Sequence, residues 1–181
     1  NSADVFSLEF ENTPLADVDV LTKNKDLHPP RQALAIAQHR LSEKALFDEL
    51  AIPVAPYKAV TSLESLKAAV AELGLPIVLK TSRGGYDGKG QWRLKQQADA
   101  AAVWADIAAF MAGAEHSLPQ AIVAEQFVRF DREVSLVGAR NAQGETVVYP
   151  LTENHHVNGV LAVSQALPGN EALQAQAKQM F

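Results

Sequence analysis

The segment PIVLKTSRGGYDGKGQ, running from Pro76 to Gln91, restricts the possible folds of this chain more than any other. Pro76 to Lys80 reads as a buried strand and Gln91 to Leu94 as the strand that returns beside it, with Gly84, Gly85, Gly88 and Gly90 in the loop between. A loop that joins strand to strand is not the phosphate loop whose GK[ST] opens a helix. Glycines still let backbone N–H groups approach anionic oxygens without obstruction, and Lys80 and Lys89 supply cations for a polyphosphate. Composition alone leaves a second reading open, a glycine hairpin with solvated lysines.

The elements on either side predict an α+β fold. Asp4 to Phe10 reads as a short strand, and a loop through Pro29 and Pro30 follows. Arg31 to Leu50 reads as one helix, with Ala33, Ala37, Leu41, Ala45 and Leu46 at helical spacing and Pro53 beyond its end. An extended VAPYKAV, a helix from Ser62 or Ser65 to Glu72 and a break at Gly74 lead into the Lys80 strand. The alanine-rich stretch from Gln97 to Met111 predicts a helix with Trp104, Ile107 and Phe110 in the core. Beyond Pro119 four strands are predicted to form one antiparallel sheet: Ala121 to Val128, Glu133 to Arg140, Thr146 to Thr152 and Val160 to Ala166. NAQG at Asn141 to Gly144 supplies a hairpin turn within it. Residues Glu171 to Met180 begin a last helix. The start at Asn1 without Met, and that helix at the chain end, give the expectation of further sequence on both sides.

With 48% hydrophobic residues in 181, the chain can bury a real core. A net charge of -5 argues against a nucleic-acid or anionic-membrane surface, since those partners reward clustered Lys and Arg. The absence of cysteine rules out disulfides and thiolate chemistry and suits a cytoplasmic protein. No apolar run approaches the roughly 20 residues that a membrane span requires.

The Lys-bearing strand, the glycine-rich hairpin, the EQFV segment at Glu125 and a downstream glutamate resemble the ATP-grasp superfamily, in which two lobes clamp ATP. More narrowly, SLEFEN at Ser7, GGYDGKGQ at Gly84 and YPLTENHHVNGVL at Tyr149 resemble, in that order, the 5-(carboxyamino)imidazole ribonucleotide synthase family. The resemblance implies an ATP-grasp fold in four parts. Residues 1–30 would end a preceding domain, 31–52 would be a linker helix, 53–118 a small lobe with the glycine-rich loop, and 119–181 the first part of a larger antiparallel lobe. It implies ATP-dependent carboxylation of 5-aminoimidazole ribonucleotide by bicarbonate, yielding ADP and phosphate, in de novo purine biosynthesis. ATP, bicarbonate and the ribonucleotide are the implied small-molecule partners, with Mg2+ as metal and a cytoplasmic homodimer as the working form.

Carried over residue by residue, the resemblance implies that Arg40 and Lys80 contact ATP phosphates. Gly85, Tyr86, Asp87, Gly88, Lys89, Gly90 and Gln91 would close over them. Lys80, Lys89 and Asp87 are the catalytic candidates, Asp87 facing the acceptor amine or its ribonucleotide. Glu125, Gln126, Phe127 and Val128 would be the hinge that holds adenine through backbone groups and the glutamate. Glu133 would receive the ribose hydroxyls and His156 would contact the nucleotide. Apart from the resemblance, Glu125 and Glu133 read as ordinary strand-edge charge and Asp87 as a turn former. Glu9, Glu11 and Asn12 read equally as the rim of a substrate cleft or as solvated charge. His155 and His156, as neighbours on a strand, should point to opposite faces and not share an ion, and the magnesium ligands are expected beyond Phe181.

Two departures stand out: the family usually has glycine where this chain has Gln126, and the stretch between Gln91 and Glu125 is longer. The alternatives are another ATP-grasp ligase, such as a formate-dependent transformylase or a biotin carboxylase relative, or a non-catalytic nucleotide-binding relative. GYDGKGQ and YPLTENHH speak against the other ligases; Lys80, Lys89, Glu125, Glu133 and His156 speak against loss of chemistry. Residues 1–181 alone are expected to bind ATP weakly without turnover.

Overall fold

A computed structural model describes residues 4–23, 25–84, 90–113, 121–157 and 159–181. The chain divides into two compact units, Asn1–Gly85 with Lys89–Phe127, and Tyr86–Gly88 with Val128–Phe181.

The first unit opens with β1 (Val5–Ser7), α1 (Leu15–Thr22) and β2 (Asp26–His28), the two strands pairing in parallel. The sequence predicts no helix between Glu11 and Pro30. LADVDVLT carries no clear apolar stripe, and only Val18 of it is buried, so tertiary contact decides this helix.

The predicted single helix from Arg31 to Leu50 is in fact two, α2 (Arg31–Ala37) and α3 (Arg40–Glu49). His39 between them is extended, with φ -138° and ψ 108°. Gln38 causes the interruption: buried, it donates its amide to the carbonyls of Glu11 at 2.7 Å and Thr13 at 2.6 Å. The N–H of Arg40 donates to the carbonyl of Ser82 at 2.8 Å. Helical spacing of alanines could not reveal bonds to partners so distant in sequence.

There follow β3 (Tyr57–Val60), α4 (Leu63–Leu73), β4 (Ile77–Thr81), β5 (Gln91–Leu94), a 3-10 turn (Gln97–Asp99), α5 (Ala100–Gly113) and β6 (Ile122–Gln126). The strands form one antiparallel sheet in the order β3-β6-β4-β5. Ser62 starts α4 with a capping box: its Oγ accepts from the Ser65 N–H at 3.1 Å, and the Ser65 Oγ accepts from the Ser62 N–H at 2.9 Å. Leu66, Ala69, Val70 and Leu73 form the buried stripe of this helix, and Gly74, at φ 73°, ends it. They pack with Val60, Ile77, Leu79, Leu94, Ile107, Ile122 and Ala124 into one core. Ile107 is buried as predicted, but Phe110 is 40% exposed, its ring in T-shaped contact with Trp92 at 5.4 Å between centroids.

Strand β6, which the sequence reading grouped with the strands after it, belongs to this first sheet. It lies between β3 and β4, and IVA within it is fully buried, as a central strand must be.

The second unit contains β7 (Glu133–Ser135), β8 (Gly138–Arg140), β9 (Thr146–Val148), β10 (Thr152–Val157), β11 (Val160–Ala166) and α6 (Glu171–Lys178). The expected strand from Glu133 to Arg140 serves two sheets: β7 pairs with β10, which pairs with β11, while β8 pairs with β9. At the change-over Gly138 lies so near the Phe181 ring and the Val147 carbonyl that a Cβ would approach each within 3 Å. The Asn141 carboxamide makes the predicted hairpin turn by accepting from the N–H groups of Gln143 at 3.1 Å and Glu145 at 2.8 Å. Gln174 of α6 accepts from the N–H of buried Leu151 at 2.7 Å and donates to the Tyr149 carbonyl at 3.0 Å.

Candidate nucleotide-binding site

Because side chains alternate along a strand, β4 contributes to two environments. Ile77 and Leu79 enter the core beneath α4 and α5, while Val78 and Lys80 face the other way. On that second face Tyr57, Glu125, Val78 and Arg93 stand in register across the four strands, with Val123, Lys80 and Gln91 in a neighbouring row. Lys80 Nζ donates to Glu125 Oε2 at 2.8 Å. Lys44, from α3, reaches the other oxygen of the same carboxylate at 3.1 Å. Burial pushes the Glu125 carboxyl up, but the Lys80 hydrogen bond and the charges of Lys80 and Lys44 together outweigh it, holding the group below the usual carboxylate range. Lys44 also lies over the Tyr57 ring at 5.1 Å, and the Tyr57 hydroxyl donates to Asp48 at 2.7 Å.

Arg40 stands at the start of α3 with Nη1 on the Thr81 carbonyl at 2.7 Å. Its backbone bond to Ser82 ties the same residue to the end of β4. Arg83 donates to the Gln38 side-chain oxygen at 3.3 Å. Four cations, Arg40, Lys44, Lys80 and Arg83, are therefore attached to β4, to its exit or to the glutamate beside it, in a chain whose net charge is -5. Burial first, and then the positive charge of Arg83, lower the His39 pKa, so the imidazole is neutral at pH 7. At the far side of the loop the Gly90 carbonyl accepts from the Thr81 N–H at 3.0 Å. Gly90 has φ 72°, and a Cβ there would come within 3.0 Å of the Thr81 hydroxyl, so this position needs glycine twice over. Gln91 pairs in register with Lys80. Gly85, Tyr86, Asp87, Gly88 and Lys89 lie outside the described residues.

At the hinge, two backbone donors are already engaged. The Gln126 N–H bonds to the Pro56 carbonyl at 2.9 Å and the Phe127 N–H to the Pro76 carbonyl at 3.1 Å. The Gln126 side chain donates to the Leu73 carbonyl at the end of α4 at 3.0 Å. It serves the fold. The Phe127 ring carries the Arg93 guanidinium at 5.6 Å. Val128 begins the second unit.

Within the second unit, Glu133 and Asn154 are register partners, and Asn154 and Ser164 are the next pair along. Asn154 donates to Ser135 Oγ at 2.5 Å and accepts from Ser164 Oγ at 2.9 Å. His156 Nδ1 lies 3.5 Å from Glu133 Oε1, so this unit brings together two of the predicted site residues. Regular alternation through His155 and His156 does not hold, since a β-bulge falls between them. Among the described residues no group of three or more His, Cys, Asp or Glu side chains could hold a metal ion, and the magnesium ligands that the resemblance implies are expected beyond Phe181. None of the described helices is long and apolar enough to cross a membrane.

Sequence reasoning missed Lys44. The available signal was its spacing from Arg40: four residues along a helix place both side chains on one face.

Comparison with known proteins follows the same lines. The chain is 49% identical over 178 residues to an N5-carboxyaminoimidazole ribonucleotide synthase of Vibrio cholerae, a match covering 98% of this chain and 46% of that protein. A crystal structure of the ADP complex of an N5-carboxyaminoimidazole ribonucleotide synthetase superposes with a TM-score of 0.82 at 37% identity, over 98% of this chain and 45% of the other. The Thermus thermophilus synthetase gives 0.83 at 35% identity, over 99% and 46%. The chain thus spans about half the length of the curated relatives it matches. The sequence model of the ATP-grasp domain matches residues 45–181, three quarters of the chain, and the chain belongs to the ATP-grasp family.

Proposed function

We propose that this chain is the nucleotide-binding part of an enzyme that uses ATP to carboxylate 5-aminoimidazole ribonucleotide with bicarbonate, in purine biosynthesis. The observation that carries the reading is the gathering of Arg40, Lys44, Lys80 and Arg83 around the exit of β4 and the Glu125 carboxylate, a local excess of positive charge in an acidic chain. The names of the relatives supply the acceptor.

ATP phosphorylates bicarbonate to carboxyphosphate, and the exocyclic amine of the ribonucleotide takes the carboxyl group as phosphate leaves. Lys80 and Arg40 hold the phosphates, Glu125 and the hinge at Gln126, Phe127 and Val128 hold the base, and Glu133 with His156 hold the sugar and nucleotide. Since the Gln126 and Phe127 N–H groups are engaged and both Glu125 oxygens are held by lysines, this segment offers adenine its carbonyls first. Residues Gly85 to Gln91 close over the phosphates and shield the labile intermediate from water, with Lys89 and Asp87 brought in by that closure. Most of the rate enhancement comes from positioning and charge neutralisation. Magnesium would add to that neutralisation. The described residues supply no ligand set for it. Residues 1–30 complete a preceding domain, 31–52 link it to the small lobe, and the working form is a cytoplasmic homodimer.

ADP release by the intact protein, with Mg-ATP and bicarbonate and with or without 5-aminoimidazole ribonucleotide, tests this. Strong stimulation by the ribonucleotide is expected, with Lys80→Ala reducing it about a hundredfold or more. Equal rates with and without the ribonucleotide would reject the acceptor.

A further inference from the structure

Glu125 has two lysines, and the proposed chemistry claims only one of them. Lys80 Nζ sits 2.8 Å from one carboxylate oxygen, and Lys44 Nζ sits 3.1 Å from the other. The glutamate side chain is 12% exposed and that of Lys44 13%, against 32% for Lys80. The better-buried lysine comes from a different element, α3. Its position is fixed by the Tyr57 ring, which is itself held by Asp48. The more exposed lysine stands on the strand that leads into the glycine-rich loop. A lysine that is to bind phosphate must loosen its hold on the carboxylate. A carboxylate this buried that loses its only cation is strongly penalised.

We propose that Lys44 is a positioning residue of the nucleotide site, holding Glu125 charged and in place so that Lys80 can exchange the carboxylate for a phosphate of the nucleotide. The inference rests on the reading of Lys80 as a phosphate ligand. Lys44 itself touches no reacting atom. The groups facing Glu125 are Lys80 from β4, Lys44 from α3 and the Tyr57 ring from β3, with Arg93 of β5 farther along the same row. With Lys44 present, Glu125 stays ionised in both the free and the bound state, and binding draws no proton to it. With Lys44 removed, Lys80 is retained by Glu125 in the free protein, and its transfer to phosphate leaves a buried carboxylate that takes up a proton.

The test is calorimetric titration of the intact protein with ADP, in two buffers of different ionisation enthalpy, so that affinity and proton uptake are read together. Thermal melting of each variant serves as the folding control. Lys44→Met is expected to raise the Kd about tenfold or more, the scale of one charged hydrogen bond. It should also add proton uptake relative to the wild type between pH 6 and 8, whereas Lys44→Arg restores both. In a Glu125→Gln background, Lys44→Met should change the Kd less than twofold. A structural role alone would lower the melting temperature without adding proton uptake. Unchanged affinity in Lys44→Met, or an equal loss in the Glu125 and Glu125→Gln backgrounds, overturns the inference while leaving the phosphate role of Lys80 in place. Full ADP affinity in Lys80→Ala overturns both.

Discussion

Glu125 shows how far one residue's surroundings can set its chemistry. Its folded pKa is depressed, so the stabilisation it contributes is fully present above the ordinary carboxylate pKa and is lost as pH falls through the folded value. Urea unfolding of the wild type and of Glu125→Gln should therefore diverge at neutral pH and converge only as pH falls through the depressed folded value, the wild type having the steeper acid limb. Parallel pH profiles would mean that the lysine pair contributes nothing to folding. At this scale the sequence was informative about residue type and poor about partnership. Lys80 could be picked out because a strand entering a glycine-rich loop is a readable position, whereas Arg40, in the middle of the predicted helix, and Glu125, ordinary strand-edge charge by itself, rested on the family resemblance. That Lys44 shares Glu125 with Lys80 depends on α3 reaching β6 from 81 residues away, and no local pattern records such a contact.

Among the elements, legibility followed the source of stability. Helix α4 carries its own instructions, a serine box at one end, glycine at the other and a buried stripe between, and the sequence reading recovered it almost to the residue. Ser62→Ala should cost about 1 kcal/mol in denaturant titration, without altering nucleotide affinity. Strands β4 and β5 were equally readable, because a hairpin with an apolar strand has few alternatives. By contrast the break between α2 and α3 and the split of the strand at Gly138 come from tertiary demands: buried Gln38 capturing two carbonyls, and a backbone pressed against Phe181 and Val147. The misassigned β6 is of the same kind. Its composition declares a buried strand, but only the sheet order declares which sheet.

In the molecule as a whole, the core of the first unit and the candidate site share strands. Leu79, fully buried, is the immediate neighbour of Lys80, and Ala124 is that of Glu125. Leu79→Ala should destabilise this unit by about 2–5 kcal/mol, and ADP titration should show weaker binding even under conditions where the variant remains folded, because the cavity lies directly beneath the lysine. Full affinity in a folded Leu79→Ala protein would show that the backbone of β4 is held by its hydrogen bonds alone. The alternation on β4 also makes the site an honest signal of assembly. A slip of one residue in its pairing would turn Leu79 out of the core and Lys80 into it, so that register cannot offer a working phosphate grip, and ligand capture reports that β4 presents the right face.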